Sequence, residues 1–196
     1  VPPTVSTTAY ALLGLLMLDP ESSTVGMTGY ELKQRADRTL RFYWTSPAMS
    51  QIYTELDRLD EHGHVSSTEA QEGKRTTRRF TITATGRAAL NDWLLESTDE
   101  LPVLKHPIAM RLMLGSLMGP EAVEAMLTTY VDRLAERRAE LQEVRDRLGD
   151  IEQFRFPARV AEWGLSFYDN EADIVARLRK DISGSPDAGP PRTRRA

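Results

Sequence analysis

The chain has 196 residues, 40% of them hydrophobic and 28% charged, with a formal net charge of −4. That is enough for one or two small domains with real cores, and it makes any nucleic-acid contact a matter of local charge placement rather than of the total. Cysteine is absent, which excludes a disulfide framework, a thiolate metal site and a cysteine nucleophile. The longest apolar stretch, residues 9–18, is about half of what a membrane-spanning helix needs. No basic segment precedes it and no cleavage signal follows, so a cytoplasmic protein with no membrane partner is expected.

Residues 8–18, TAYALLGLLML, are apolar nearly all round and predict a helix buried on most faces, ended by Asp19 and Pro20. Thr28-Gly29-Tyr30-Glu31 has the spacing of a capping box and predicts a second helix to about Arg38. At Ser46-Pro47, a serine cap and a proline at the first helical position predict a third helix to about Glu61, stopped by Gly63. Its apolar stripe is Met49, Ile52, Tyr53, Leu56 and Leu59. Residues 65–69 then read as a strand, 71–76 as a polar turn, and the residues up to Ile82 as a second strand. Phe80 and Ile82 should point inward there, with Arg79 and Thr81 outward. Thr83 caps a fourth helix to about Leu95.

Helices followed by a basic hairpin form the layout of a winged helix-turn-helix. The third helix is polar on one side and slim enough for the major groove, while the wing lays cations on nearby phosphates. Ser50, Gln51, Thr54 and Arg58 lie off the apolar stripe, with Ser46 at the helix start. Gln51 is the best base reader, because its amide both donates to and accepts from adenine. Tyr53 sits at the edge of that face, either bonding a phosphate through its hydroxyl or only packing. Residues 74–79, KRTTRR, place four cations in six positions with no acid among them. Lys74, Arg75 and Arg79 are the expected phosphate contacts; the strand parity of Arg78 turns it inward. On periodicity alone, a generic small α+β domain with a basic loop remains an open alternative.

The pattern breaks over residues 97–107, which places the domain boundary there: residues 1–98 for DNA binding, 99–182 for a helical domain, and 183–196, rich in proline, glycine and arginine, as a disordered tail. In the second half Leu127, Leu134, Leu141 and Leu148 recur every seven residues on a helix expected from about Pro120 to Gln153. The stripe reads as a dimerisation seam or, alternatively, as a plain antiparallel helix packed within one chain. A final helix carries Trp163, Leu165, Phe167 and Tyr168. With Trp93, the aromatic residues Trp163, Phe167 and Tyr168 are candidates for an effector pocket, since flat faces bind flat apolar ligands; core packing is the other reading. The three histidines lack zinc-ligand spacing, and no phosphate loop, nucleophile elbow or HExxH motif occurs. No metal, cofactor or enzymatic activity is expected.

These pieces resemble the PadR family of bacterial transcription regulators. The matching segments run in order: residues 10–16, YALLGLL; residues 28–32, TGYEL; Ser46-Pro47 leading into residues 50–53, SQIY, then Leu56, Leu59 and Gly63; and residues 73–86, GKRTTRRFTITATG. The second half is similar to the longer branch of that family. Thr28, Thr54, His64 and Arg79 depart from the usual pattern and bear on the operator sequence. The resemblance implies a mostly α chain: an N-terminal winged helix-turn-helix with a two-stranded wing, plus a C-terminal helical dimerisation domain. It implies a homodimer on a double-stranded operator, acting as a repressor released by a small aromatic or drug-like effector. A winged-helix adaptor that uses its coiled coil for protein interaction and never binds DNA is the alternative.

Overall fold

The computed structural model describes residues 5–18, 20–42, 44, 46–72, 75–96 and 105–184. The chain divides at residue 100 into two compact units. The first is organised by α1 (Thr7–Met17), whose start is capped by Ser6: its hydroxyl accepts the Ala9 amide at 3.0 Å. With apolar residues on almost every face, this helix becomes the centre of the core. Leu12, Leu13 and Leu16 are completely buried, against Leu32, Ile52, Leu56 and Phe80 from the surrounding elements.

A short helix, α2 (Pro20–Thr24), follows where the sequence marks only a terminator. Strand β1 (Met27–Thr28) leads into α3 (Gly29–Thr39) through the expected capping box. The Glu31 amide donates to the Thr28 hydroxyl at 3.2 Å, and the Thr28 amide donates to the Glu31 carboxylate at 2.7 Å.

Helix α4 (Met49–Glu61) begins later than its start signal predicts: Ala48 is the cap residue and offers no side-chain bond. Ser46 is used elsewhere. Its hydroxyl donates to Asp37 of α3 at 2.5 Å and accepts from Lys33 at 3.2 Å. Bonds to charged partners are stronger than a bond to a neutral amide, and they hold Ser46 to α3 instead of α4.

Strands β2 (Val65–Glu72) and β3 (Arg75–Ile82) pair antiparallel, with Val65 opposite Ile82 and Glu72 opposite Arg75. On the other side of β3, Met27 pairs with Phe80, so the sheet has three strands in the order β1-β3-β2. A two-residue strand leaves no alternation to read, which is why the sequence shows only the hairpin. Phe80 and Ile82 are buried as expected. Helix α5 (Ala84–Leu95) is capped by Thr83, and its Trp93 stacks on Tyr10 of α1 with centroids 4.8 Å apart and planes 9° apart.

The second unit opens with α6 (Pro107–Met113), capped by His106, whose Nδ1 accepts the Ala109 amide at 3.1 Å. Helix α7 (Pro120–Leu148) ends before the expected Gln153, because Gly149 takes φ +56°, a left-handed conformation suited to glycine. Helix α8 (Arg155–Gly184) packs along α7. Ion pairs join Glu124 to Arg179, Arg138 to Asp169 and Arg145 to Glu162, so the two helices run antiparallel.

That pairing decides the use of the leucine stripe. Leu127, Leu134 and Leu141 are 1%, 7% and 0% exposed within the single chain, and Leu148 is half-buried. Ala158, Ala161, Leu165, Tyr168 and Val175 of α8 are buried as well. The reading of this seam as the contact between subunits is corrected: α8 of the same chain covers it. A seven-residue repeat requires an apolar partner along the helix and is indifferent to whose it is. The tail expected from Ser183 falls, from residue 185 onward, outside the described residues, while residues 183 and 184 complete α8. Among the described residues, no helix is long and apolar enough to cross a membrane.

Candidate DNA-binding interface

Helix α4 separates its residues by the 3.6 period. Ile52, Glu55, Leu56 and Leu59 are buried, whereas Ser50, Gln51, Tyr53, Thr54, Asp57 and Arg58 are exposed. The structure therefore brings five of the residues expected to read DNA to one exposed helix surface. They are not equivalent. Gln51 lies on the α1 side, with its amide 3.5 Å from the Thr8 hydroxyl. The Thr54 hydroxyl donates to the Ser50 carbonyl at 2.9 Å, within its own helix. Arg58 approaches the buried carboxylate of Glu55 at 3.5 Å and is itself largely exposed. Ser46 stands apart, bound to α3 as described above.

Tyr53 does more than border this face. Its ring lies on the start of α3, so closely that a Cβ at Gly29 would sit 2.7 Å from Cε1. Glycine at position 29 is what lets α3 and α4 approach there. Both residues belong to the segments that match the PadR pattern, but nothing in a linear sequence joins positions 29 and 53.

The wing cations divide into groups. Lys74 and the side chain of Arg75 lie outside the described residues. Arg79 points away from the core face, as its parity predicts, but it is turned onto the start of α3. Its Nη2 is 3.2 Å from the Gly26 carbonyl and 3.2 Å from the Glu31 carboxylate. Burial pushes the Glu31 carboxyl up, but the Thr28 amide and the Arg79 charge outweigh it, leaving the pKa below its ordinary value. Arg78 lies against α4, 2.8 Å from Asp57 and 3.1 Å from Asp60, with its guanidinium 4.9 Å above the Phe80 ring. The hydrogen bond that Arg78 donates to Asp57 holds the guanidinium proton more tightly than usual.

The aromatic residues considered for an effector belong to two different units. Trp93 is half-buried against Tyr10 in the first. In the second, Trp163 is 76% exposed and Phe167 49% exposed, whereas Tyr168 is buried and meets Phe167 edge-on at 5.7 Å. A polar cluster absent from the sequence reading lies in the same unit. His106 Nε2 and the Tyr130 hydroxyl each stand 2.9 Å from Glu171 and 3.1 Å from each other. Burial, then the bond to Glu171, pushes the Tyr130 phenol well up. Among the described residues no group of histidine and carboxylate side chains could hold a metal ion.

Residues 22–92 match the model of the transcriptional regulator PadR-like family, and residues 104–180 match that of the virulence activator alpha C-terminal region. The negative transcriptional regulator PadR of Bacillus subtilis is 26% identical over 136 residues, covering 69% of each chain. The crystal structure of Bacillus subtilis PadR in complex with operator DNA superposes with a TM-score of 0.78 at 21% identity, over 90% of this chain and 99% of that one. Its complex with p-coumaric acid gives 0.72 at 19% identity, over 94% and 100%. With a winged helix-turn-helix in the first unit, a helical second unit, and the two family models in tandem along the sequence, residues 22–92 form a PadR-like family domain and the chain is a DNA-binding transcriptional regulator.

Proposed function

We propose that this regulator is a homodimeric repressor that grips an operator with α4 and the β2–β3 wing and releases it when a small molecule binds. The observation that carries the reading is the exposed polar surface of α4, Ser50 to Arg58, beside a strand that begins within the cation run of residues 74–79. Ser50, Gln51 and Thr54 are the base readers, and Lys74 and Arg75 are the phosphate contacts. Repression is supported by the negative regulator among the relatives, and a small aromatic effector by the p-coumaric acid complex of Bacillus subtilis PadR.

With the leucine seam closed by α8, the dimer contact falls to the apolar side chains the second unit leaves outside. Met110, Met113 and Leu117 are 61%, 77% and 82% exposed around α6, and Phe156 and Trp163 are 71% and 76% exposed on α8. Surfaces of this kind mark association sites. Trp163 and Phe167 are thereby better suited to a subunit contact than to an effector pocket.

The test is capture of genomic fragments by the purified protein, followed by footprinting. A protected site with two half-sites roughly 10 base pairs or a multiple of that apart is expected for a dimer. Equal affinity for captured and scrambled duplexes would refute sequence-specific regulation.

A further inference from the structure

Neighbouring residues on a strand face opposite sides of the sheet, so Arg78 and Arg79 reach away from one another. Both stand on β3, the central strand. On one side, the two terminal nitrogens of Arg78 meet Asp57 at 2.8 Å and Asp60 at 3.1 Å, both on α4. Asp60 is also held from β2, by the Ser67 hydroxyl at 2.6 Å. On the other side, Arg79 reaches the Gly26 carbonyl and the Glu31 carboxylate, each at 3.2 Å, and that same carboxylate closes the capping box that starts α3.

We infer that Arg78 and Arg79 are positioning residues that clamp the wing to the two helices of the helix-turn-helix, Arg78 to α4 and Arg79 to α3. The clamp fixes the base-reading face of α4 against the wing, so its loss misaligns base contacts while the phosphate contacts persist. The charges argue for a clamp and against phosphate contact. One guanidinium between Asp57 and Asp60 leaves that spot with a net negative charge, which repels a phosphate rather than attracting it. The Arg78 pairs are substantially exposed, with 42% of its side chain accessible, and exposed pairs add little to global stability. Their loss is therefore felt in the geometry of the wing and not in melting. The inference rests on the DNA-binding reading of the first unit.

The experiment is a set of titrations on operator and on scrambled duplex across a salt series, with a melting curve for every variant. Arg78→Ala is expected to lower operator affinity about tenfold, the scale of one misaligned base contact, with an unchanged dependence on salt. Arg79→Ala is expected to act in the same way. The double variant Asp57→Ala/Asp60→Ala removes two negative charges next to the duplex, so Coulomb attraction alone would tighten binding. The clamp requires the opposite, a loss similar to that of Arg78→Ala. It also requires melting temperatures near the wild-type value. A salt slope that falls by about one unit for each arginine removed would identify phosphate contacts and overturn the inference. Tighter binding by the double acidic variant, or undiminished binding by Arg78→Ala, would overturn it as well. Failure of the wild-type protein to bind any duplex would overturn the DNA reading together with the clamp.

Discussion

Leu141 is completely buried between α7 and α8 of one chain, so replacing it tests directly which surface holds the second unit together. Leu141→Ala removes three buried carbons and leaves a cavity, a change that costs about 2–5 kcal/mol. The upper part of that range applies, because two long helices tied by ion pairs along their length have little freedom to collapse into the gap. At about 2–4 °C per kcal/mol for a chain of this size, a cost of about 4 kcal/mol lowers the melting temperature by about 8–16 °C. The assay is thermal unfolding followed by helix circular dichroism, at two protein concentrations tenfold apart, with light scattering on the same samples. The downward shift should have the same size at both concentrations, because the lost contacts are within one chain. A variant that keeps its helix signal and melting temperature but becomes monomeric would refute the reasoning and return the leucine seam to the subunit interface. A shift that disappears at high concentration would do the same.

Other expectations follow from the first unit. Gly29→Ala, at the first position of α3, places a Cβ 2.7 Å from the Tyr53 ring, so operator affinity should fall, and adding Tyr53→Ala should relieve the clash. Band-shift titration of the single and double variants checks it, and an undisturbed single variant would count against the packing. Gln51→Ala should lose roughly 1–3 kcal/mol on the operator and much less on scrambled duplex. Equal losses on both would show that Gln51 does not read bases. The Glu31 carboxyl titrates lower in the folded protein than its ordinary 4.5, so its contribution is present above that pH and fades as the pH falls below it. Urea unfolding of Glu31→Gln against wild type should show a gap that narrows on acidification; a gap that widens would contradict the sign.

Local signals in the sequence located the elements well. The capping box at Thr28 and Glu31, the all-round apolar helix at residues 7–17 and the inward Phe80 and Ile82 all follow from interactions among near neighbours in sequence. What escaped are matters decided between distant segments. Ser46 has every mark of a helix cap, yet Asp37 and Lys33, on another helix, claim its hydroxyl. Strand parity separates Arg78 from Arg79 correctly, but it says nothing of the carboxylates waiting on α3 and α4. The heptad stripe announces a helical partner without saying that α8 supplies it. The cluster of His106, Tyr130 and Glu171 joins residues from three helical segments, and none of the three stands out alone.

The contact between Tyr53 and Gly29 also bears on how such a regulator can change its target. Along α4, the Tyr53 ring rests against the start of α3, and Ile52, Leu56 and Leu59 are buried in the core, so substitutions at those last three disturb the fold. Ser50 and Thr54 are exposed, and the Thr54 hydroxyl bonds the backbone of its own helix. Exchanges at exposed positions of this sort typically shift stability by no more than about 0.5 kcal/mol. The positions proposed to choose a base are thus the ones the architecture leaves cheapest to alter. If Ser50 and Thr54 read bases as proposed, duplicated copies of such a chain can diverge to new operators by single substitutions there, without passing through an unstable intermediate.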